Sequence, residues 1–351
     1  MSDPAPRFRR LVTASVATLL GLVIALLLSE VLVRVFFDEA VQPRFVIDAG
    51  YGVRANKPNV ITRHYVPGDY DVRITTNSAG MRGQREYPVA RVPGKRRILL
   101  LGDSFPFGYG VEDTEVVSAV LETLLNAGSA PDAAAGGGYE VINLSVAGFG
   151  QAEELVTWEK RAREYRPDVV VLFYFDNDVG NNAVAGLYAV AADGTLTRTG
   201  RSFLPGTNFQ DYLMGFAPTR WLFEHSAAWN LIRHRLSSLV QQSMIRQQGF
   251  SGYDDTTPKA IALTRALLRQ LVTAVTRTGA RVVFVLVPNS RTKMACSFPL
   301  TTAEVRLLGA SLVDGREYLS PDDSYRHDLH WRPSGHRKTA ERLADLIRAA
   351  P

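Results

Sequence analysis

The chain has 351 residues, enough for an α/β domain of roughly 250 residues and some appended segments. Its 40 lysines and arginines and 35 aspartates and glutamates give a formal charge of +5. The basic residues are interspersed with acidic ones, which argues against a nucleic-acid partner. The single cysteine, Cys296, excludes an internal disulfide, and we expect it to be a buried apolar residue.

The N-terminal segment predicts a membrane anchor. Residues 11–29 carry no charge, and apolar residues continue beyond Glu30, so residues 11–36 can cross a hydrocarbon layer of about 30 Å as one helix. A cleaved signal peptide has a shorter apolar core and a small-residue cleavage site, which this run lacks. We therefore expect an uncleaved, single-pass membrane protein.

The charges before the span predict its orientation. Arg7, Arg9 and Arg10 precede it, and the positive-inside rule keeps such a segment in the cytoplasm. Residues 1–10 would then be cytoplasmic, in a bacterial-type inner membrane. The rest of the chain would be periplasmic or otherwise extracytoplasmic.

Residues 38–95 predict an irregular lead-in to the main domain. Proline and glycine are scattered through it, and short alternating stretches such as 70–74 favour β-strands. We expect this lead-in to pack on the domain that follows.

Residues 96–350 predict a doubly wound α/β domain of the flavodoxin-like kind. Short continuous apolar runs alternate with helical patterns, which is typical of a parallel sheet covered on both faces. The apolar runs are 98–101, 141–144, 169–175 and 281–287. The helical patterns cover about 115–125, 151–165, 260–278 and 337–349.

Residues 183–257 interrupt this pattern as a long insertion. Asp193 and Gly194 predict a hairpin turn between residues 188–190 and 196–198, and a segment rich in aromatic residues and helix formers follows. Its apolar residues could form a local core. The alternative is a lid over a substrate cleft.

Four segments at predicted strand ends carry the residue types that acyl transfer needs. They bring a serine, an unhindered glycine, an asparagine and a histidine with a nearby aspartate. In a doubly wound sheet the carboxyl ends of the strands converge on one crevice, where these residues could meet. The segments are 102–108, 143–150, 173–178 and 327–336.

Taken in order, these segments resemble the four blocks of the SGNH/GDSL hydrolase superfamily. The order is G-D-S, N-x-S-V-x-G, N-D and D-x-H-W-x-x-x-G-H, and it spans about residues 96–350 without the insertion. The resemblance implies that Ser104 is the nucleophile, His330 the base and Asp328 its partner. It also implies an oxyanion hole formed by Ser104 N–H, Gly148 N–H and the Asn177 side chain.

Two positions depart from the common family pattern. Phe175 stands where many members have glycine, and one residue rather than two separates Asp328 from His330. The shorter spacing resembles the membrane-associated alginate O-acetylation branch. His327 and His336, which flank the base, are expected to face solvent and to have a structural role, respectively.

The sequence therefore predicts an extracytoplasmic serine esterase that needs no cofactor. A metal site is disfavoured because the histidine-rich segment has no well-spaced ligand set elsewhere, and no phosphate-binding glycine motif is present. The expected substrates are acyl or acetyl esters of envelope or exported carbohydrate, with small-molecule and lipid esters also open. The alternatives are a polysaccharide O-acetyltransferase, working with polysaccharide-modification machinery, and a non-catalytic carbohydrate-binding or scaffold protein.

Overall fold

A five-stranded parallel sheet forms the centre of the molecule. The structure is a computed structural model that describes residues 5–36, 45–127, 137–205, 213, 215–247 and 257–349. The strands are β5 (Lys95–Leu101), β6 (Gly138–Asn143), β7 (Val169–Tyr174), β10 (Arg281–Leu286) and β11 (Ala310–Asp314). They lie in the order β6-β5-β7-β10-β11, and every neighbouring pair is parallel.

This order fixes where a site can form. The chain moves from β5 to β6 at one edge and then returns across β5 to β7, which creates a switch point between β5 and β7. Loops leaving the two strands diverge there and open a crevice at their carboxyl ends. The predicted doubly wound α/β fold is confirmed.

Helices cover both faces of the sheet because successive strand residues point to opposite sides. Leu99, Leu101 and Val170 pack towards one helical layer, and Ile98, Leu100 and Val171 pack towards the other. The first layer contains α4 (Gln151–Lys160) and α8 (Pro258–Thr276), and the second contains α3 (Val117–Asn126) and α10 (Pro333–Ala349). Shorter helices are α2 (Ser104–Phe107), α5 (Asp178–Ala185) and α9 (Thr302–Leu307).

Strand β11 was not predicted. It is a short edge strand in which Ser311 is exposed, so it lacks the continuous apolar run of the central strands. Two helices also differ from their predicted extents. α10 begins four residues earlier, at Pro333, and α4 ends at Lys160 before a 3₁₀ turn at Ala162–Tyr165.

The lead-in forms two antiparallel pairs. β1 (Val46–Asp48) pairs with β2 (Arg54–Asn56), and β3 (Ile61–Val66) pairs with β4 (Tyr70–Thr75). Arg97 of β5, fully buried, ties the end of the lead-in to the sheet. Its guanidinium pairs with Glu140 and donates to the backbone carbonyls of residues 88–90.

The insertion contains the expected hairpin and two helices. β8 (Tyr188–Val190) pairs with β9 (Leu196–Arg198), and α6 (Ala217–His225) is followed by α7 (Ala227–Gln247). The remaining residues of the predicted insertion, 206–212, 214 and 248–256, lie outside the described residues, as do residues 128–136.

The N-terminal helix α1 (Ala5–Phe36) includes the predicted span. Within the described residues, it is the one helix long and apolar enough to cross a membrane, over Phe8–Phe36. Its large apolar side chains up to Leu28 are exposed. The most N-terminal residues of the predicted cytoplasmic segment, 1–4, lie outside the described residues.

Candidate functional site

Ser104 lies directly beyond β5, as the first residue of α2. The turn into this helix requires glycine at position 102, because a Cβ there would lie 2.5 Å from Pro106 Cγ and 2.9 Å from Phe173 Cβ. The Asp103 carboxylate accepts the Phe105 N–H at 2.9 Å and caps the helix. The turn thereby holds the Ser104 side chain at the carboxyl end of the sheet.

Block two supports this turn from the neighbouring strand. The Asn143 side chain donates to Pro106 O at 2.7 Å, and Val146 N–H donates to Gly102 O at 3.0 Å. The asparagine of the second block is thus a structural tie between β6 and the helix that begins with Ser104.

The structure brings Ser104, His330 and Asp328 into one hydrogen-bonded line. His330 Nε2 lies 2.7 Å from Ser104 Oγ, and His330 Nδ1 lies 2.7 Å from Asp328 Oδ2. Ser104 and His330 are 226 residues apart in the chain. The arrangement has the distances of a nucleophile, its base and the carboxylate that orients the base.

The one-residue spacing between Asp328 and His330 is accommodated by the residue between them. Leu329 adopts a left-handed backbone conformation with φ of 68°, which is uncommon for a residue other than glycine. Tyr325 N–H donates to His330 O at 2.9 Å and closes the loop around it. The spacing that departs from the common pattern therefore still lets the two side chains meet.

The line continues into the lead-in, which sequence reasoning missed. Tyr70 of β4 donates its hydroxyl hydrogen to Asp328 Oδ2, and His64 Nε2 of β3 lies 3.0 Å from the Tyr70 oxygen. Since Tyr70 has a single proton to donate, His64 Nε2 must be the donor to the Tyr70 oxygen. Burial lowers the pKa of His64 to about 3, so this ring is neutral, and its buried Nδ1 has no partner among the described residues.

The same hairpin also holds the backbone of the base loop. Asp69, in the turn between β3 and β4, has a fully buried side chain. Its carboxylate accepts the N–H groups of Arg326, His327 and Asp328 at 2.8–3.2 Å. The His327 ring itself is more than half exposed, as expected.

The expected oxyanion donors lie at the ends of β5, β6 and β7. Within the described part of the chain, the N–H groups of Ser104 and Gly148 donate to no other group. Gly148 O accepts from Arg54 Nη2 at 2.9 Å, and Gly148 has a positive φ of 75°. The Asn177 side chain lies beside Asp103, and its buried Oδ1 has no partner in the part of the chain that the structure describes.

The insertion approaches this side of the crevice through Phe203. The Arg54 guanidinium that contacts Gly148 O lies 5.6 Å from the Phe203 ring centre, and the same guanidinium pairs with buried Glu153 at 3.0 Å. The proposed lid over the crevice stays a prediction.

The charge of Asp328 makes His330 more basic. Burial opposes ionisation of Asp328, but His330 and the hydrogen bonds from His330 and Tyr70 outweigh it and hold its pKa at about 2. Burial likewise disfavours a charged His330, yet the Asp328 carboxylate prevails and raises the pKa of His330 above its usual 6.5. His330 can therefore hold a proton taken from Ser104.

Three buried carboxyl groups lie close to one another near Ser104. Burial raises the pKa of Asp103, Glu154 and Asp178, and the mutual repulsion of these groups raises those of Glu154 and Asp178 further. Among the residues that the structure describes, neither oxygen of Glu154 has a hydrogen-bond partner.

Aromatic rings enclose His330. The Phe105 ring centre lies 5.0 Å from that of His330 and 4.8 Å from that of Phe175, and Tyr109 lies 5.2 Å from His330 on another side. Phe175, where many family members have glycine, is thus a packing partner of the residue after Ser104. His336 is buried in α10, where its Nδ1 accepts the Val117 N–H that begins α3.

Comparison with known proteins identifies similar folds only. No family model matches the chain, and no curated protein matches its sequence. Axe2, an acetylxylan esterase from Geobacillus stearothermophilus, is 14% identical; the match covers 73% of this chain and 94% of Axe2, with a TM-score of 0.41.

Two further solved structures match to a similar extent. A G-D-S-L family protein from Desulfitobacterium hafniense DCB-2 is 11% identical over 71% of this chain and 98% of its own, with a TM-score of 0.39. The psychrotrophic esterase EstA from Pseudoalteromonas sp. is 15% identical over 72% of this chain and 97% of its own, with a TM-score of 0.37. At this degree of similarity, the case for function rests on the side chains of the site.

Proposed function

We propose that the chain is a serine-dependent ester hydrolase of the SGNH/GDSL type. The supporting observation is the line Ser104–His330–Asp328, in which both hydrogen bonds measure 2.7 Å. A protein that only binds carbohydrate has no need for an activated serine, so this line argues against the binding or scaffold alternative.

In the proposed first half-reaction, Ser104 Oγ attacks the ester carbonyl carbon while His330 Nε2 takes the hydroxyl proton. Asp328 holds the proton on His330 Nδ1 and stabilises the imidazolium that forms. The N–H groups of Ser104 and Gly148 and the Asn177 amide would bind the oxyanion. His330 then returns the proton to the leaving alcohol, and the acyl group stays on Ser104 as an ester.

The second half-reaction repeats these steps with a new nucleophile. His330 takes a proton from water, the hydroxide oxygen attacks the acyl carbonyl, and Ser104 leaves with the proton returned by His330. An O-acetyltransferase would differ at this point alone, since a sugar hydroxyl would replace water. No step uses a group that the chain does not supply.

We further propose that residues 11–36 anchor the protein in an inner membrane with the catalytic domain outside the cytoplasm. The uncharged run behind Arg9 and Arg10 supports this. In that location the reachable esters include acyl or acetyl groups on envelope or exported carbohydrate, which we favour, as well as small-molecule and lipid esters.

The test is active-site labelling of the purified full chain in detergent with a fluorophosphonate, followed by identification of the modified residue by mass spectrometry. We expect the label on Ser104, and its loss in Ser104→Ala. With an aryl acetate, Ser104→Ala should abolish turnover, and His330→Ala should be nearly as severe. Asn177→Ala should lose about 100- to 1000-fold in turnover because one oxyanion donor is gone.

Controls separate catalysis from folding and hydrolysis from transfer. Ser311→Ala, at an exposed position of the edge strand, should keep both labelling and turnover. Adding a carbohydrate acceptor shows whether the acyl group goes to water or to a sugar hydroxyl. Full activity of folded Ser104→Ala, checked by circular dichroism, would overturn the proposal.

A further inference from the structure

The helices of the insertion are tied to the C-terminal end of α1. Glu30 accepts hydrogen bonds from Ser226 Oγ at 2.7 Å and from the N–H groups of Ala227 and Ala228 at 2.9 and 3.1 Å. These groups form the beginning of α7, where a carboxylate is favoured by the unsatisfied N–H groups and the helix dipole. Glu30 is therefore an N-terminal cap for α7, provided from another helix.

A second contact comes one turn further along α1. Arg34 pairs with Glu30 at 2.7 Å and donates to the carbonyl of His225, the last residue of α6. A cation at the end of one helix and an anion at the start of the next fit both helix dipoles. These contacts hold the junction of α6 and α7 beside Glu30 and Arg34 of α1.

Glu30 and Arg34 lie just beyond the C-terminal end of the uncharged run at residues 11–29. Residues 11–29 rise about 28 Å as a helix, close to the thickness of a bilayer's hydrocarbon layer. Charged Glu30 follows directly, so the hydrocarbon layer would end near residue 29 and residues 30–36 of the anchor would extend into the headgroup region. The junction would then lie at the boundary between hydrocarbon and headgroups. Leu26, Leu27 and Leu28 are exposed, which shows that α7 does not run back along the apolar part of α1.

α7 presents an apolar stripe to its surroundings. Ile232, Leu236 and Leu239 are each more than half exposed, and their spacing of four and three residues places them on one helical face. Trp221 of α6 is also more than half exposed, and tryptophan is enriched at membrane–water boundaries. We call these four residues, one on α6 and three on α7, the apolar stripe.

The charge of the two helices matches a negatively charged lipid surface. Residues 217–247 contain four arginines and one glutamate. Arginine side chains near a membrane surface are attracted to anionic lipid headgroups.

We propose that α6 and α7 lie in the headgroup region of the leaflet at which α1 ends, with the apolar stripe in contact with lipid. Glu30 and Arg34 fix these helices to the end of the span. The catalytic domain is then held at the membrane by an in-plane platform as well as by the span itself. This inference rests on the proposed membrane span and is independent of the proposed hydrolase activity.

The test uses single cysteines labelled with a fluorophore, in the full chain reconstituted into nanodiscs of phosphatidylcholine and phosphatidylglycerol. Cys296→Ala supplies the background, and labels are placed by Ile232→Cys, Leu236→Cys and Leu239→Cys. The matched control is Leu307→Cys, because Leu307 is a highly exposed leucine in α9 of the catalytic domain. Lipids carrying a quencher near the headgroup should quench the stripe labels several-fold more strongly than the control label.

Three outcomes separate the possible failures. A further label at Leu20→Cys, in the middle of the uncharged run, reports on α1 and is read with lipids that carry the quencher deep in the acyl chain. If it is quenched by lipid and the stripe labels match the Leu307 control, the platform is wrong and the span stands. If neither is quenched by lipid, the span fails and the platform fails with it. If the stripe labels are shielded from a water-soluble quencher in detergent and this shielding increases with protein concentration, a second copy of the chain covers the stripe and the lipid assignment is overturned.

Discussion

At the scale of single residues, Asp328 Oδ2 is the meeting point of two donors. It accepts the proton of His330 Nδ1 and the hydroxyl of Tyr70, and Tyr70 in turn accepts from His64. Hydrogen bonds to a charged acceptor contribute more than neutral ones, about 1.5–3 kcal/mol each. The Tyr70 hydroxyl therefore stabilises part of the Asp328 carboxylate charge, which would otherwise act on His330 alone.

This sharing has a consequence for pH dependence. The proposed reaction needs neutral His330, whose pKa is raised above its usual 6.5, so kcat/KM should fall as pH decreases through that raised pKa. In Tyr70→Phe the Asp328 charge acts more strongly on the imidazolium and raises the pKa of His330 further. We expect the acid limb of kcat/KM to move to higher pH and the plateau to fall about 10- to 100-fold.

Tyr325→Phe is the matched control for this prediction. Tyr325 packs against Tyr70 with ring centres 4.8 Å apart, and its hydroxyl donates to Gly110 O rather than to the Ser104–His330–Asp328 line. Its removal should leave the acid limb in place. An unchanged acid limb in Tyr70→Phe would mean that Tyr70 acts through packing alone.

At the scale of elements, the β3–β4 hairpin contributes to the candidate site although it lies outside the four sequence segments that predicted it. It provides Tyr70 and His64 for the hydrogen-bonded line and Asp69 for the backbone of residues 326–328. Satisfied backbone groups on both sides hold the base loop in one conformation, including the left-handed Leu329.

Removing Asp69 should release this loop. In Asp69→Ala the three N–H groups of residues 326–328 lose their acceptor, at about 1–3 kcal/mol for each group that stays buried and unpaired. We expect a lower melting temperature and a fall in kcat that exceeds the change in KM, because His330 would no longer be held against Ser104. Thermal unfolding and steady-state kinetics measure both effects.

Asp71→Ala provides the comparison for this change. Asp71 pairs with Arg63 on the outer side of the same hairpin, and both side chains are about half exposed. Exposed ion pairs contribute little to stability, so this variant should resemble the unmodified protein. Equal losses in the two variants would assign the effect to the hairpin fold rather than to the base loop.

At the scale of the whole molecule, we expect α1 to span the membrane and the α/β domain to lie outside the cytoplasm. A reporter that is active only in the cytoplasm, fused after Pro351, should be silent in cells. The same fusion without residues 1–36 should be active, which shows that the reporter folds. Strong reporter activity in the full-length fusion would contradict the proposed topology.

Much of the architecture follows from local patterns in the chain. Continuous apolar runs, such as 169–174, predict strands buried on both faces. The helical patterns between them predict the helices that connect successive parallel strands. β11 escaped detection because an edge strand with exposed Ser311 has no such run. The uncharged run at 11–29 likewise predicts a long apolar helix by itself, although α1 extends beyond this run at both ends, over Ala5–Phe36.

The residues of the candidate site likewise fall into two groups: those that short sequence motifs predict and those that only the folded chain brings together. Ser104, Gly148, Asn177, Asp328 and His330 stand in short blocks whose order and strand-end positions are visible in the chain. His64, Asp69 and Tyr70 carry no such signal, because an alternating hairpin predicts a strand and says nothing about which distant carboxylate its tyrosine meets. Their roles arise from long-range packing, since 258 residues separate Tyr70 from Asp328 and only the closed fold makes them neighbours.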